Sequence, residues 1–210
     1  MRKTPLALLC GILLTGLGAE AYAQGFSLVL LGGLSKDSRT QTESVWKAGL
    51  NLAGHAFVSV PGITIGGRVA FHSWGADGEG WLKEVTKSGS TSYTLNSADG
   101  SQTVIEIVPA IRLALLNPPV GLRIDLQIGA GLFLVSSSEV TVTGSFNTGT
   151  SSGQTTWVLA TESLTGFGPQ AALPLTLGGM IEIVPVYSAY NAGGDWYNHF
   201  AINAGFRFGI

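Results

Sequence analysis

The chain has 210 residues, 11 Lys+Arg against 13 Asp+Glu, and a formal net charge of −2; only 11% of its residues are charged, yet its mean hydropathy is +0.35. The near-neutral balance excludes a basic nucleic-acid surface, and the single cysteine, Cys10, excludes an internal disulfide framework. After the first 23 residues no apolar run approaches the roughly 20 residues that a spanning helix requires, so a chain this apolar must hide its surface in another way.

Met1-Arg2-Lys3 is a short basic start, Leu6 to Leu17 is an apolar run, and Ala21-Tyr22-Ala23 is a small-x-small site followed by Gln24. This pattern predicts a secretory signal over residues 1–23 and a mature domain over 24–210. Cys10 sits behind Leu9, where lipid attachment would need a small residue, so no lipid anchor is expected.

From Gly25 to the end, apolar residues recur at every second position, the period of a strand. Eight strands are predicted: Gly25–Leu34, Ser44–Val58, Ile63–Trp74, Thr103–Leu116, Gly121–Ser136, Thr156–Leu175, Met180–Asn191 and Trp196–Ile210. In Gly121–Ser136 one face carries Leu122, Ile124, Leu126, Ile128, Leu132 and Leu134, and the other Arg123, Asp125 and Gln127. The joints Ser59–Gly62, Asn117–Val120 and Thr176–Gly179 are tight and rich in Pro and Gly. Between them lie Ser35–Glu43, Gly75–Gln102, Ser137–Thr155 and the shorter Ala192–Asp195, rich in Ser, Thr, Gly, Asn and Asp. Unpaired backbone groups at membrane depth cost several kcal/mol each, so strands cross lipid only as a closed ring. The reading is therefore all-β: an eight-stranded antiparallel up-and-down transmembrane β-barrel with short periplasmic turns and longer extracellular loops. Trp46, Trp157 and Trp196 lie near loop ends on the apolar parity, and Phe206 and Phe208 near the opposite end, as two interfacial girdles would require. Alternating pieces within the loops, Glu84–Thr94 and Val140–Ser145, predict a wall that protrudes beyond the membrane.

On these features the chain resembles the eight-stranded outer-membrane barrels of Gram-negative bacteria, the OmpA transmembrane-domain, OmpX and OmpW type. The likeness spans Gln24 to Ile210 and is one of pattern. The terminal strand, with Phe206 and Phe208, resembles the signal read by the barrel-assembly machinery, although the chain ends on Ile210 where that family has phenylalanine. The resemblance implies an outer-membrane location, surrounding lipid and lipopolysaccharide, the assembly machinery as a partner during biogenesis, and a monomer. Extracellular ligands would meet loops 75–102 and 137–155.

The polar faces place Lys47, Arg68, Arg112, Arg123 and Arg207 in the lumen with Glu106, Asp125, Glu162 and Glu182. An eight-stranded lumen is just wide enough for side chains to fill, so these nearly balanced charges predict a packed ion network. A four-residue turn at Asn117–Val120 sets Arg112 opposite Asp125, and one at Ser59–Gly62 sets Lys47 opposite Trp74, where a cation–π contact would cap the mouth. The pentapeptide Ile105-Glu106-Ile107-Val108-Pro109 recurs as Ile181-Glu182-Ile183-Val184-Pro185, consistent with hairpin duplication or with chance in a chain of alternating Ile and Val.

Ser188 and His199 face each other across Ala192–Asp195, with Glu162 at similar height, and these are the residue types of nucleophile, base and orienter. The His-x-Ser-Asn element of lipid A deacylases is absent, and His72-Ser73-Trp74-Gly75 is a poor substitute. His55, His72 and His199 are isolated in sequence, without metal-ligand spacing, and read as lumen hydrogen-bonders. No catalytic, cofactor-binding or metal residue is assigned. The expected function is a non-enzymatic barrel, structural or presenting loops for binding or adhesion. The alternatives are a narrow channel for small apolar molecules, as the OmpW likeness implies, and a lipid A-modifying enzyme.

Overall fold

The computed structural model describes residues 25–39, 45–60, 63–116 and 121–209. The predicted signal segment, the joints at Pro61–Gly62 and Asn117–Val120, and Ile210 lie outside the described residues. In chain order the strands are β1 (Phe26–Arg39), β2 (Gly49–Val60), β3 (Ile63–Gly75), β4 (Thr94–Asp99), β5 (Ser101–Leu116), β6 (Leu122–Ser137), β7 (Val140–Asn147), β8 (Ser152–Leu159), β9 (Glu162–Ala172), β10 (Leu175–Leu177), β11 (Ile181–Ala192) and β12 (Asp195–Gly209). A helix, α1 (Gly78–Thr86), lies between β3 and β4.

The barrel strands pair antiparallel with their neighbours in the order β11-β12-β1-β2-β3-β5-β6-β9, and β9 pairs back onto β11. β10 continues the line of β9 beyond Leu173-Pro174, between β6 and β11. The ring therefore closes with eight walls. First and last strands meet along Ser27–Arg39 and Tyr197–Gly209, which satisfies the edge that the alternating C-terminal stretch would otherwise present. At this seam two inward positions are glycine by necessity. A Cβ at Gly33 would lie 2.0 Å from the Ile202 carbonyl oxygen, and one at Gly205 would lie 1.9 Å from that of Leu30.

Period-2 patterning sorts the wall as the sequence predicts. Leu30, Leu50, Leu52, Ile65, Phe71, Leu132, Ile202 and Phe206 point outward and are exposed, while Val29, Asn51, Arg68, Glu106, Gln127, Val184 and Asn203 point inward and are buried. An apolar exterior around a polar interior is the inversion required of a barrel whose solvent is lipid. Among the described residues no helix is long and apolar enough to cross a membrane.

Several expectations need correction at the loop-bearing end. The strand expected over Thr156–Leu175 is three pieces: β8 and the barrel strands β9 and β10, parted by Ala160-Thr161 and by Leu173-Pro174. The strand expected from Ser44 begins at Gly49. Glu84–Thr94 is not a strand: it covers the end of α1, a turn and the first residue of β4. Of the expected loops, Ser35–Glu43 does continue the barrel wall as far as Arg39, because β1 runs on to that residue beside β12, but the bodies of 75–102 and 137–155 do not. They fold into a separate sheet of order β4-β7-β8, with α1 packed on β4 and β7. Helix is favoured at Gly78–Thr86 because Trp81, Leu82 and Val85 fall on one face, with Glu79 in the first turn and Lys83 in the last. The Ala192–Asp195 connection is a tight hairpin turn on Gly193 and Gly194, whose φ values of 63° and 96° suit glycine.

Candidate functional site

The lumen is where the strands bring chemistry-bearing residues together, and it is built in layers. Nearest the short-turn end, Arg123 Nε donates to both oxygens of Asp125 at 2.8 and 2.9 Å. Above it, Arg112 donates from Nη2 to Glu182 at 2.8 Å and to His55 Nδ1 at 2.7 Å, and from Nε to Gln127 at 2.8 Å. Its guanidinium lies 4.1 Å from the Phe57 ring centre, a cation–π contact inside the wall.

The central layer is organised by Glu106 on β5, which is fully buried. Arg68 pairs with one of its oxygens and His199 contacts the other. His72 Nε2 lies 3.0 Å from that second oxygen and Ser188 Oγ donates to it at 3.2 Å, while Gln170 Nε2 donates at 3.0 Å to the oxygen paired with Arg68. Asn51 Nδ2 in turn reaches the His72 ring at 2.9 Å. In the ring order β12 stands diametrically opposite β5, so the Glu106–His199 contact bridges the full width of the barrel.

An aromatic layer closes the lumen toward the loops. Phe133 stacks on Tyr190 with centroids 4.4 Å apart, Tyr190 stacks on Tyr197 at 5.5 Å, and Trp74 stacks on His72 at 5.5 Å. The Trp74 indole donates to the Ser35 carbonyl at 3.0 Å. This layer runs without a break into the apolar base of the loop lobe, where Trp46 meets Trp81 edge-on at 5.4 Å beside Leu82, Val140 and Val142.

Against the sequence, Arg68, Arg112, Glu106, Asp125 and Glu182 are buried in the lumen as expected, while Arg123 and Arg207 are only partly buried. Lys47 and Glu162 are exposed instead, Lys47 before β2 and Glu162 at the rim of β9. Both predicted cross-strand pairs are displaced. Arg112 faces Gln127, with Asp125 beside Ala114, because β5 and β6 pair in a register set by a bulge between Ala114 and Leu116. In the β2–β3 hairpin Leu50 faces Ser73 and Val60 faces Ile63, so the joint is two residues and Lys47 is carried away from Trp74. Only Trp196 of the three tryptophans faces outward as a girdle residue, with Phe206 and Phe208 at the other end. Trp46 turns inward ahead of the first residue of β2, where it bridges to Ala76, and Trp157 belongs to β8, where it packs on Tyr93 at 5.0 Å.

Ser188 does face His199. The carboxylate beside them is Glu106, and Ser188 donates to that carboxylate instead of to the histidine. With Ser188, His199 and Glu106 all without exposed surface, the trio has the residue types of a hydrolase and the environment of a core. The histidines are not isolated: His72 and His199 lie 4.5 Å apart, and with Glu106 they offer three metal-ligand atoms within 4.8 Å. Arg68 already supplies the counter-charge of Glu106, so a dication would add two further positive charges to a desolvated site. The repeated pentapeptide is the available signal for this architecture, since Glu106 and Glu182, its second residues, anchor the two inner networks.

No protein-family model and no curated protein matches the chain. Among solved structures it is similar to Ail, the attachment invasion locus protein of Yersinia pestis, at 14% identity and a TM-score of 0.47, over 88% of this chain and 98% of that one. It is also similar to Neisserial surface protein A at 12% identity and 0.44, over 87% and 95%. A major outer membrane protein from Thermus thermophilus gives 12% and 0.44, over 88% and 99%. The barrel assignment rests on the closed strand pairing and not on these likenesses.

Proposed function

We propose that this chain is a non-enzymatic outer-membrane barrel, sealed through its lumen, whose folded lobe presents a binding surface on the outside of the cell. The observation that carries the reading is the Glu106–His199 contact across the whole diameter, sealed above by stacked aromatic rings. A conducting pore or a transport path for apolar molecules would need an opening where these side chains meet. A lipid-modifying active site would need its nucleophile open to the membrane or the medium, and Ser188 is open to neither. The lobe, by contrast, gathers the two long loops into a sheet with β4 and β8 at its edges, and edge strands recruit extended partners.

The test is reconstitution of purified protein in planar bilayers, paired with mass spectra of lipid A from cells with and without the protein. No unitary conductance and no change in lipid mass are expected. Stable conductance steps would overturn the sealed lumen, and a lipid A species of altered acyl content would overturn the non-enzymatic reading.

A further inference from the structure

The outward faces of the barrel strands are almost free of charge. Along β1, β2, β3, β5, β6, β9, β11 and β12 the described outward positions carry one charged side chain, Lys36. It is exposed, it stands toward the loop-bearing end of β1, and its cross-strand neighbours are Phe200 on β12 and the outward face beside Ala48. Below it the wall is indented. Gly32 and Ala204 pair side by side at the β1–β12 seam and raise no ridge, while Leu34, Phe200 and Ile202 stand up around them. The result is a groove of about 420 Å³ that runs along the wall and ends at Lys36.

A single lysine on a lipid-facing wall is costly unless its ammonium reaches the headgroup layer, and the four-carbon stem allows that reach. No outward carboxylate stands on the described residues of β1, β2 or β12 to receive it. We propose that this groove holds one acyl chain of a lipid that carries a phosphate on its headgroup, packed over Gly32 and Ala204, with that phosphate on Lys36. The apolar channel fixes where the chain lies, and the lysine fixes which headgroup sits above it. The inference rests on the membrane-spanning reading, and adds to it a defined lipid position at the closing seam.

The experiment is native mass spectrometry of the folded barrel released from detergent micelles containing either dioleoylphosphatidylglycerol or dioleoylglycerol, which lacks the phosphate. One charge contact at a membrane surface is worth about 1 kcal/mol, or about fivefold in occupancy, so the wild type should retain one phosphatidylglycerol about fivefold better than the diacylglycerol. Lys36→Gln should bring the two to parity. Gly32→Leu should lose both adducts, because a Cβ there meets only the Leu52 methyl at 3.8 Å and no backbone, so the side chain can be placed on the groove floor; Ala204→Leu fills it from the other strand. Folding is read separately from unheated gel mobility, and membrane insertion from flotation with vesicles. Equal retention of the two lipids by wild type, or wild-type retention by folded Gly32→Leu and Ala204→Leu, would overturn the site. Failure of the wild type to float with vesicles would overturn the membrane reading beneath it.

Discussion

Glu106→Gln is the change that most directly tests how the lumen is held. Glutamine keeps the shape of the side chain and one carbonyl oxygen, so one of the two oxygens to which Ser188 and Gln170 donate remains an acceptor, while the other becomes an NH2 and the negative charge against Arg68 disappears. Both groups are fully buried, so the guanidinium is left without its counter-charge where water cannot compensate. Breaking a buried pair by removing one partner typically costs about 3–5 kcal/mol, and that is the expected destabilisation. Arg68→Met should cost a similar amount by exposing the opposite orphan. The double variant should cost less than the two singles combined by at least about 1 kcal/mol, since residues in one network do not act independently. The assay is reversible urea unfolding in phosphatidylcholine vesicles, followed by tryptophan fluorescence and by unheated gel mobility. A Glu106→Gln variant within about 1 kcal/mol of wild type, or an additive double variant, would refute the claim that this pair carries the centre of the barrel.

Further changes probe other parts of the molecule. Ile128→Arg, on the exposed outer wall, should cost about 2–4 kcal/mol if it lies near the bilayer midplane. Val158→Arg, more exposed still on the lobe strand β8, should stay within about 0.5 kcal/mol, and equal costs would mean that the lobe is also in lipid. Trp81→Ala removes a buried ring from the base of the lobe; at about 3–5 kcal/mol it should loosen the lobe alone, seen as new protease nicking within 75–102 while the barrel stays folded in unheated detergent. Gln127→Arg sets a second guanidinium against Arg112 and should destabilise the barrel in the same unfolding assay, whereas a register placing Asp125 there would predict a gain. Phe208→Ala, on the outer face beside Leu28, should slow acquisition of the unheated-resistant form more than Arg207→Ala does, and the opposite order would invert the orientation of β12.

The barrel is readable because its physics is local: alternate residues must face lipid or lumen, so period, parity and strand ends are written in the chain. Thr103–Leu116 and Trp196–Ile210 fall within two residues of the observed β5 and β12, leaving aside Ile210. The lumen is legible as a set of residues but not as a set of bonds. Parity places Arg112 and Asp125 inward, but who meets whom depends on a bulge at Ala114 and a two-residue joint between Val60 and Ile63, features set by backbone geometry. A contact such as Glu106–His199 joins strands that are farthest apart around the ring, beyond any pairwise hairpin argument. The lobe escapes a strand-by-strand reading because α1 and the inward turn of Trp46 are fixed by a shared apolar base, and short apolar segments in long loops do not disclose what they will pack against.

The position of Glu106 also bears on how the ring is made. Its partners come from β3 on one side and from β9, β11 and β12 on the other. A sheet that has paired only as far as β6 can offer it Arg68 and His72, while Gln170, Ser188 and His199 arrive only when the sheet curls shut. Because side chains alternate, a slip of one residue in β11 or β12 would aim Tyr187 or Phe200 at the carboxylate in place of Ser188 or His199. The buried glutamate thus acts as a proofreading point for assembly, fully satisfied in one alignment of the last strands and stranded in its neighbours.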